Sequence, residues 1–236
     1  MEPSKSINPR TTEIIEIKGK SYKEVWDIQL SYLNEIVESK RNNTFVTNKL
    51  LFVEHNPVFT LGKSGDSANL LISEAVLKDK GIELFHIERG GDITFHGPGQ
   101  WVVYPIFDLE KFNLGLRQYI ENLEQIIMNT CEQFGIKGKQ IEGLTGVWVE
   151  NKQQVPSLKK IAAIGVKSKK FVTMHGFALN VNTDLSFFEL MNPCGITDKG
   201  VTTIFKESNK IMAFDEVKKT ILLAFKKTFD LSLMSN

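Results

Sequence analysis

Apolar positions recur at helical spacing in some stretches of this chain and crowd into short runs in others. From Ser21 to Arg41, the residues Tyr22, Val25, Trp26, Leu33, Ile36 and Val37 make one helical stripe, and Ser21 with Glu24 has capping-box spacing. Leu116 to Phe134 reads as a long helix stopped by Gly135, Asp215 to Phe229 as a closing helix, and Ser73 to Lys80 as a short helix closed by Gly81. Alternation predicts a strand over Glu13 to Lys18. Apolar runs predict strands over Leu50 to Glu54, Ile82 to Glu88, Trp101 to Leu109, Gly146 to Glu150, Ile161 to Lys167 and Phe171 to Val181. The last two flank the polar tip Ser168-Lys169-Lys170, which predicts a hairpin. A short helix starts at Asp184 or Ser186 and runs through Leu190. Helices and hairpin-linked strands mix without a βαβ rhythm. The pattern therefore predicts an α+β fold, a mixed and largely antiparallel sheet flanked by helices, in one domain over residues 1–236.

Composition narrows the function classes. With 42% apolar and 24% charged residues the chain is an ordinary globular one, and a net charge of +1 excludes the global basic field of a nucleic-acid binder. No uninterrupted apolar run approaches the ~20 residues of a membrane span. The N-terminus has no apolar core and carries Glu2, Glu13 and Glu16, so no leader is expected. Two cysteines, Cys131 and Cys194, make no disulfide framework and fit a reducing compartment, so a cytoplasmic location is expected. The four histidines show no paired spacing with each other or the cysteines, and no metal is expected.

Three segments carry candidate chemistry. Cys194 sits between Pro193 and Gly195, on a turn where a thiol can face a cleft, whereas Cys131 falls inside a predicted helix as a small hydrophobe. A free thiol near ~8.5 is mostly protonated at neutral pH and needs a cation or base beside it; Lys160 and His175 are both available, and composition does not choose between them. Lys160 opens the strand Ile161-Ala162-Ala163-Ile164-Gly165, whose small residues leave room for a ligand. The third segment, Arg89 to Gln100, holds four glycines and a proline. Read blandly it is a long hairpin loop, but Arg89 and His96 flank the glycines and both types bind or polarise acyl and phosphate groups. It is neither a Walker A loop nor a Rossmann turn. Residues 151 to 183 contain six lysines and no acid, and Lys167, Lys169 and Lys170 at the hairpin tip suggest an acidic macromolecular partner.

Taken together, Val53 to Gly62, Arg89 to Gln100, Lys160 to Gly165 with His175 to Asn180, and Pro193 to Ile196 resemble the lipoyl(octanoyl) transferase family. The resemblance implies a biotin/lipoate protein ligase-like fold and an acyltransferase. Such an enzyme takes an octanoyl group from the phosphopantetheine arm of acyl carrier protein and passes it to a lysine amine of lipoyl domains. Those domains belong to the 2-oxo acid dehydrogenases and the glycine cleavage H protein. It also implies an acyl-thioester on Cys194, with Lys160 lowering the thiol's pKa and handling protons, and no ATP or metal cofactor. Arg89, Gly90, Gly91, Asp92, Ile93, Thr94, Phe95 and His96, then Ala163, Ile164 and Gly165, then Gly176, Phe177 and Ala178, would line the acyl pocket. His55 lies in the family's first motif without an assigned role. Phe95 stands where the family usually has Tyr, so any role for that hydroxyl is absent or supplied elsewhere. The competing readings are an ATP-dependent lipoate or biotin ligase of the same superfamily, which needs no cysteine, and a non-catalytic acyl-group or carrier-binding module.

Overall fold

The computed structural model describes residues 8–151, 155, 157–192 and 199–235. The first strand, β1 (Thr11–Ile17), crosses through α1 (Tyr22–Arg41) into β2 (Asn48–Val53), which lies parallel to it. The capping box starts α1 as expected: the Ser21 hydroxyl accepts from the Glu24 N–H, and the Glu24 carboxylate accepts from the Ser21 N–H at 2.8 Å. Val25, Leu33, Ile36 and Val37 of α1 pack on one face of β2, meeting Leu51 and Val53. The alternate residues Leu50 and Phe52 face the opposite core, beneath α3 (Leu116–Glu132) and α5 (Phe214–Phe229), between which lies the short α4 (Ile204–Ser208) in sequence. A strand buried on both faces is apolar throughout, which is why β2 shows no polar alternation.

The remaining strands of this large sheet are β6 (Gln100–Ile106), β7 (Gly138–Ile141), β8 (Leu144–Glu150), β9 (Leu158–Lys169), β10 (Val172–Asn180), β11 (Gly200–Val201) and β12 (Ser232–Ser235). Their order is β12-β1-β2-β6-β10-β9-β8-β7, with β11 paired to β9. A smaller sheet, β4-β3-β5, is built from β3 (Val58–Leu61), β4 (Glu83–His86) and β5 (Ile93–His96), with α2 (Glu74–Asp79) crossing between β3 and β4. The mixed sheet flanked by helices is thus present, and the large sheet is antiparallel from β2 through to β7.

Two expectations are corrected. The chain does contain crossovers: β1 with β2 and β3 with β4 are parallel pairs joined by helices, and β12 and β11 add parallel edges. A parallel pair cannot be closed by a tight turn, so α1 and α2 are the crossovers. The segment from Arg89 to Gln100 is also not a single hairpin loop. Its middle is β5, which pairs with β3 rather than continuing β4 into β6.

The β9–β10 hairpin forms, one residue beyond the expected tip. Lys170 and Phe171 have φ of 53° and 62°, as both central residues of a two-residue I′ turn require, and Lys169 pairs with Val172. Further along, the β6–β10 ladder is interrupted where Pro105 has no N–H to give. The Thr173 hydroxyl donates to the Pro105 carbonyl at 2.8 Å and accepts from the Phe107 N–H at 3.0 Å, bridging the gap. His175 is turned to φ 60° and gives its N–H to Gln29 Oε1 at 2.9 Å. The backbones crowd here: a Cβ on Gly176 would lie 2.1 Å from the Val103 carbonyl oxygen. Gly176→Ala is therefore expected to destabilise the protein by about 1–3 kcal/mol, read as a lower urea midpoint at unchanged m-value.

Candidate active site

A cavity lies between the β9–β10 ribbon and the chain from Arg89 to His96. Ala163, Ile164 and Gly165 of β9 and Gly176, Phe177 and Ala178 of β10 form one wall; Arg89, Gly91, Asp92, Ile93, Thr94 and His96 form the facing wall. Register sets its ends. Lys160 of β9 pairs with Trp148 of β8 and with Val201 of β11 at one end; Val166 pairs with His175 at the other. Six residues of strand separate the two, roughly 20 Å. Tyr22 and Tyr104 line the His175 end, while Met191, Val201 and Lys160 belong to the opposite one.

The facing wall is held by buried polar groups with partners. The Arg89 Nη2 donates to the Thr60 carbonyl at 2.6 Å and its hydroxyl at 3.0 Å, and Nη1 donates to the Gly90 carbonyl at 3.0 Å. The Gly90 N–H donates to the Val166 carbonyl at 3.1 Å, which presses the glycine-rich turn onto β9. The Asp92 carboxylate accepts from the Asn69 amide at 2.6 Å and from the Asp66 N–H at 3.2 Å. The Asn69 carbonyl in turn accepts from the Asn192 N–H at 2.7 Å.

A second chain of hydrogen bonds crosses four strands. Gln100 Nε2 donates to Asn180 Oδ1 at 2.8 Å and to the Phe95 carbonyl at 3.2 Å. With both amide hydrogens used, Gln100 Oε1 accepts, so the proton of His96 sits on Nδ1, 2.8 Å away. Asn180 Nδ2 donates to the Thr202 carbonyl at 3.1 Å, and the Thr202 N–H donates to the Lys160 carbonyl at 3.0 Å.

Of the residues expected in the pocket, Gly90 and Phe95 are not on its wall. Gly90 is spent on the contact with Val166, and Phe95 turns into the core of the small sheet, stacked on Phe187 with centroids 4.5 Å apart and edge-on to Phe188. A tyrosine hydroxyl at position 95 would extend from Cζ, which lies so close to Gly97 that a Cβ there would be 2.4 Å from it. All the other expected wall residues and Lys160 line the cavity. Cys194, with Pro193, Gly195 and Ile196, lies outside the described residues; the flanking Met191 and Val201 both line the cavity. Pattern reading missed Tyr22, Val102, Tyr104, Phe188, Met191 and Val201 as cavity residues. Tyr22 looked like one more residue of the α1 stripe, and no local signal marks it as facing a cavity. Among the described residues no group of three His, Cys, Asp or Glu stands close enough to hold a metal, and no helix is long and apolar enough to cross a membrane.

Residues 21–226 match the lipoyl protein ligase A/B catalytic domain. An octanoyltransferase of Parabacteroides distasonis is 48% identical over 210 residues, covering 89% of this chain and 94% of the relative. An octanoyltransferase of Porphyromonas gingivalis is 51% identical over 209 residues, covering 88% of this chain, which spans 42% of that longer relative. The chain belongs to the octanoyltransferase family. With that family it is an acyltransferase. Its fold is that of the lipoate ligases: a bi-partite lipoate protein ligase from Thermoplasma acidophilum superimposes with a TM-score of 0.66 at 16% identity, over 96% of this chain and 86% of the other.

Two buried histidines, His96 and His175, line this acyltransferase's cavity, and a third, His55, is bonded to the cavity residue Tyr104. All have depressed pKa values that favour the neutral ring at physiological pH. Burial is the main cause in each case. His96 is held down to about 4 despite its bond to Gln100, with Arg89 adding to the depression. His175 is held down to about 3, with Arg89, Lys167 and His96 contributing. His55 is well below its usual value, aided by His96. Its Nε2 lies 2.8 Å from the Tyr104 hydroxyl, whereas neither ring nitrogen of His175 has a protein partner. Because the unfolded value is near ~6.5, the unfolded chain binds more protons than the folded one below that pH. Stability contributed by neutral burial is complete above about pH 6.5 and is lost as pH falls, down to about 4 for His96 and about 3 for His175. For His96 alone the loss is up to roughly 3 kcal/mol. His96→Gln is expected to flatten the fall of the urea midpoint between pH 7 and pH 4; an unchanged slope would exclude His96 as a source of acid lability.

Proposed function

We propose that this chain transfers an octanoyl group from octanoyl-acyl carrier protein to a lysine amine of lipoyl domains, through a thioester on Cys194. The observation that carries this reading is the placement of Lys160. It stands at the mouth of an apolar-walled cavity, between β8 and β11, and the chain on both sides of the Cys194 segment borders that cavity at Met191 and Val201. His175 is the weaker helper for the thiol: it lies at the far end of the cavity, and its depressed pKa leaves it uncharged.

The chemistry balances with these groups alone. The Cys194 thiolate attacks the donor thioester, and the departing pantetheine thiolate takes the proton of the Lys160 ammonium. Neutral Lys160 then takes a proton from the acceptor's ammonium group, whose free value is near ~10.4 and which must be neutral to attack. The amine displaces Cys194 as thiolate, an amide forms, and one proton is released to solvent. One thioester is exchanged for another before the amide forms, so no ATP is required. The acyl chain lies along Ile164, Phe177 and Ile93, and backbone N–H groups near Ala163 to Gly165 are candidate oxyanion donors. The acceptors in this reading are the lipoyl domains of 2-oxo acid dehydrogenases and the glycine cleavage H protein, and the enzyme works in the cytoplasm.

The basic hairpin tip plays a smaller part than its composition suggests. Lys167 pairs with Glu88, Lys169 is 3.3 Å from Asn34 Oδ1, and the tip is ten strand residues from Lys160, roughly 33 Å. That exceeds the ~8–10 Å over which exposed charges act at physiological salt, so the tip steers only the body of an acidic partner.

Incubation with a small octanoyl thioester, without ATP, is expected to add one octanoyl mass to the intact protein. Cys194→Ala is expected to abolish both the adduct and turnover. Cys131→Ala is expected to keep both, because Cys131 is buried in α3 and burial pushes its thiol up to about 12. Turnover that survives in Cys194→Ala, or that requires ATP, would replace this reading with a ligase. Lys160→Ala is expected to slow acylation about 10²–10⁴-fold in single-turnover assays, with His175→Ala affecting it less.

A further inference from the structure

Lys160 and Trp148 face each other across the β8–β9 ladder, and the Lys160 Nζ stands over the indole ring, 4.7 Å from its centroid. The placement depends on a local break in regularity. Val147 pairs with Ala162 but Trp148 pairs with Lys160, so Ile161 is an extra residue in β9. A bulge of this kind re-aims the side chains beside it. Ile161 drops into the core under α3, and Lys160 is left against the indole.

The supporting shell is specific. Trp148 is buried, and its indole N–H donates to the Leu144 carbonyl at 3.0 Å, which fixes the ring plane. Gly146 has φ 118°, and its N–H donates to the Glu124 carboxylate of α3 at 2.9 Å. Glu124 also accepts from the Gln140 amide at 2.8 Å. A Cβ on Gly146 would lie 2.6 Å from the Ala162 carbonyl oxygen, so glycine lets β8 approach β9 this closely beside Lys160, whose Cε would be in ordinary contact at 3.5 Å.

We propose that Trp148 is the positioning residue of Lys160: its indole face holds the ammonium group by a cation–π contact and keeps it charged until the departing donor thiolate takes the proton. This rests on the reading of Lys160 as the proton-handling group. An ammonium over a Trp face is stabilised relative to the neutral amine, most strongly where water is excluded. The same contact fixes the direction of a flexible four-carbon stem. Among the described residues, the charged groups on the elements around Lys160 and Trp148 include Lys159, Lys167 and Lys169 on β9, Glu150 on β8, Lys139 on β7 opposite Trp148, Lys199 before β11, Glu124 behind Gly146, and Arg89 and Asp92 across the cavity. None of them changes when only the ring electronics of Trp148 are altered.

The test replaces Trp148 site-specifically with mono-, di- and tetrafluorotryptophan, which keep the ring's shape and progressively weaken its cation-binding face. The measurement is the pH profile of single-turnover acylation by a small octanoyl thioester. The alkaline limb reports loss of the Lys160 proton. It is expected to move stepwise to lower pH, by roughly half a unit to one and a half units in total. Trp148→Leu should show the full shift, and Trp148→Phe should recover part of it. In Lys160→Ala, acylation should be slow and fluorination should leave the profile alone. A limb that does not move with fluorination, while Lys160→Ala remains slow, overturns the cation–π role and leaves the function standing. Near-normal acylation in Lys160→Ala with an unchanged profile overturns the assignment of Lys160, and the proposal with it.

Discussion

Arg89 and Gly90 together link the two sheets beside the cavity, the guanidinium bonding the small sheet and the Gly90 N–H bonding the large one. A charged group taken out of water is tolerable only with its hydrogen bonds made. Arg89 meets that condition by bonding Thr60 of β3 and the carbonyl of its own neighbour Gly90. Gly90 then bonds Val166 of β9. The small sheet is therefore held at a set distance from the β9–β10 ribbon, with a gap between them rather than a packed core. The ribbon lines much of the gap with Ala163, Ile164, Gly165, Gly176, Phe177 and Ala178, which supply apolar surface.

The segment carrying Cys194 is bracketed by two different kinds of force. On its N-terminal side, Phe187 and Phe188 pack on Phe95, Met191 bridges Leu70, and the Asn192 N–H is bonded to the Asn69 carbonyl. Asn69 is itself held by Asp92, so the acidic residue of the glycine-rich turn acts at a distance on the entry to the cysteine segment. On the C-terminal side, β11 pairs with Lys159 and Lys160, and Thr202 closes onto the Lys160 carbonyl. Apolar packing of the small sheet and strand pairing of the large one thus converge at the mouth of the cavity.

The polar chain from His96 through Gln100, Asn180 and Thr202 to Lys160 ties the motifs to one another. Each buried member uses the others as partners, so the network is costly to break at any point and favours a single arrangement of the site. The network does not by itself keep His96 neutral: burial and the nearby Arg89 hold its pKa down against the Gln100 bond, while the Lys160 ammonium lies against an aromatic face.

The sequence by itself determined the helices α1, α3 and α5, the central strands, the hairpin and the family, because capping residues, apolar period and the four motif segments are local properties of the chain. It also pointed to Lys160, whose position at the start of an Ala/Gly-rich strand is visible without a fold. Only the tertiary structure decided that β1 and β2 are parallel, that β5 interrupts the glycine-rich segment, that Phe95 and Gly90 are off the cavity wall, that Tyr22 lines the cavity, and that Trp148 lies against the Lys160 ammonium. The physical reason is common to all of these. Strand partners and cavity walls are set by contacts between residues dozens of positions apart, and a tyrosine in an apolar stripe or a tryptophan in an apolar strand carries no local mark of what it will face.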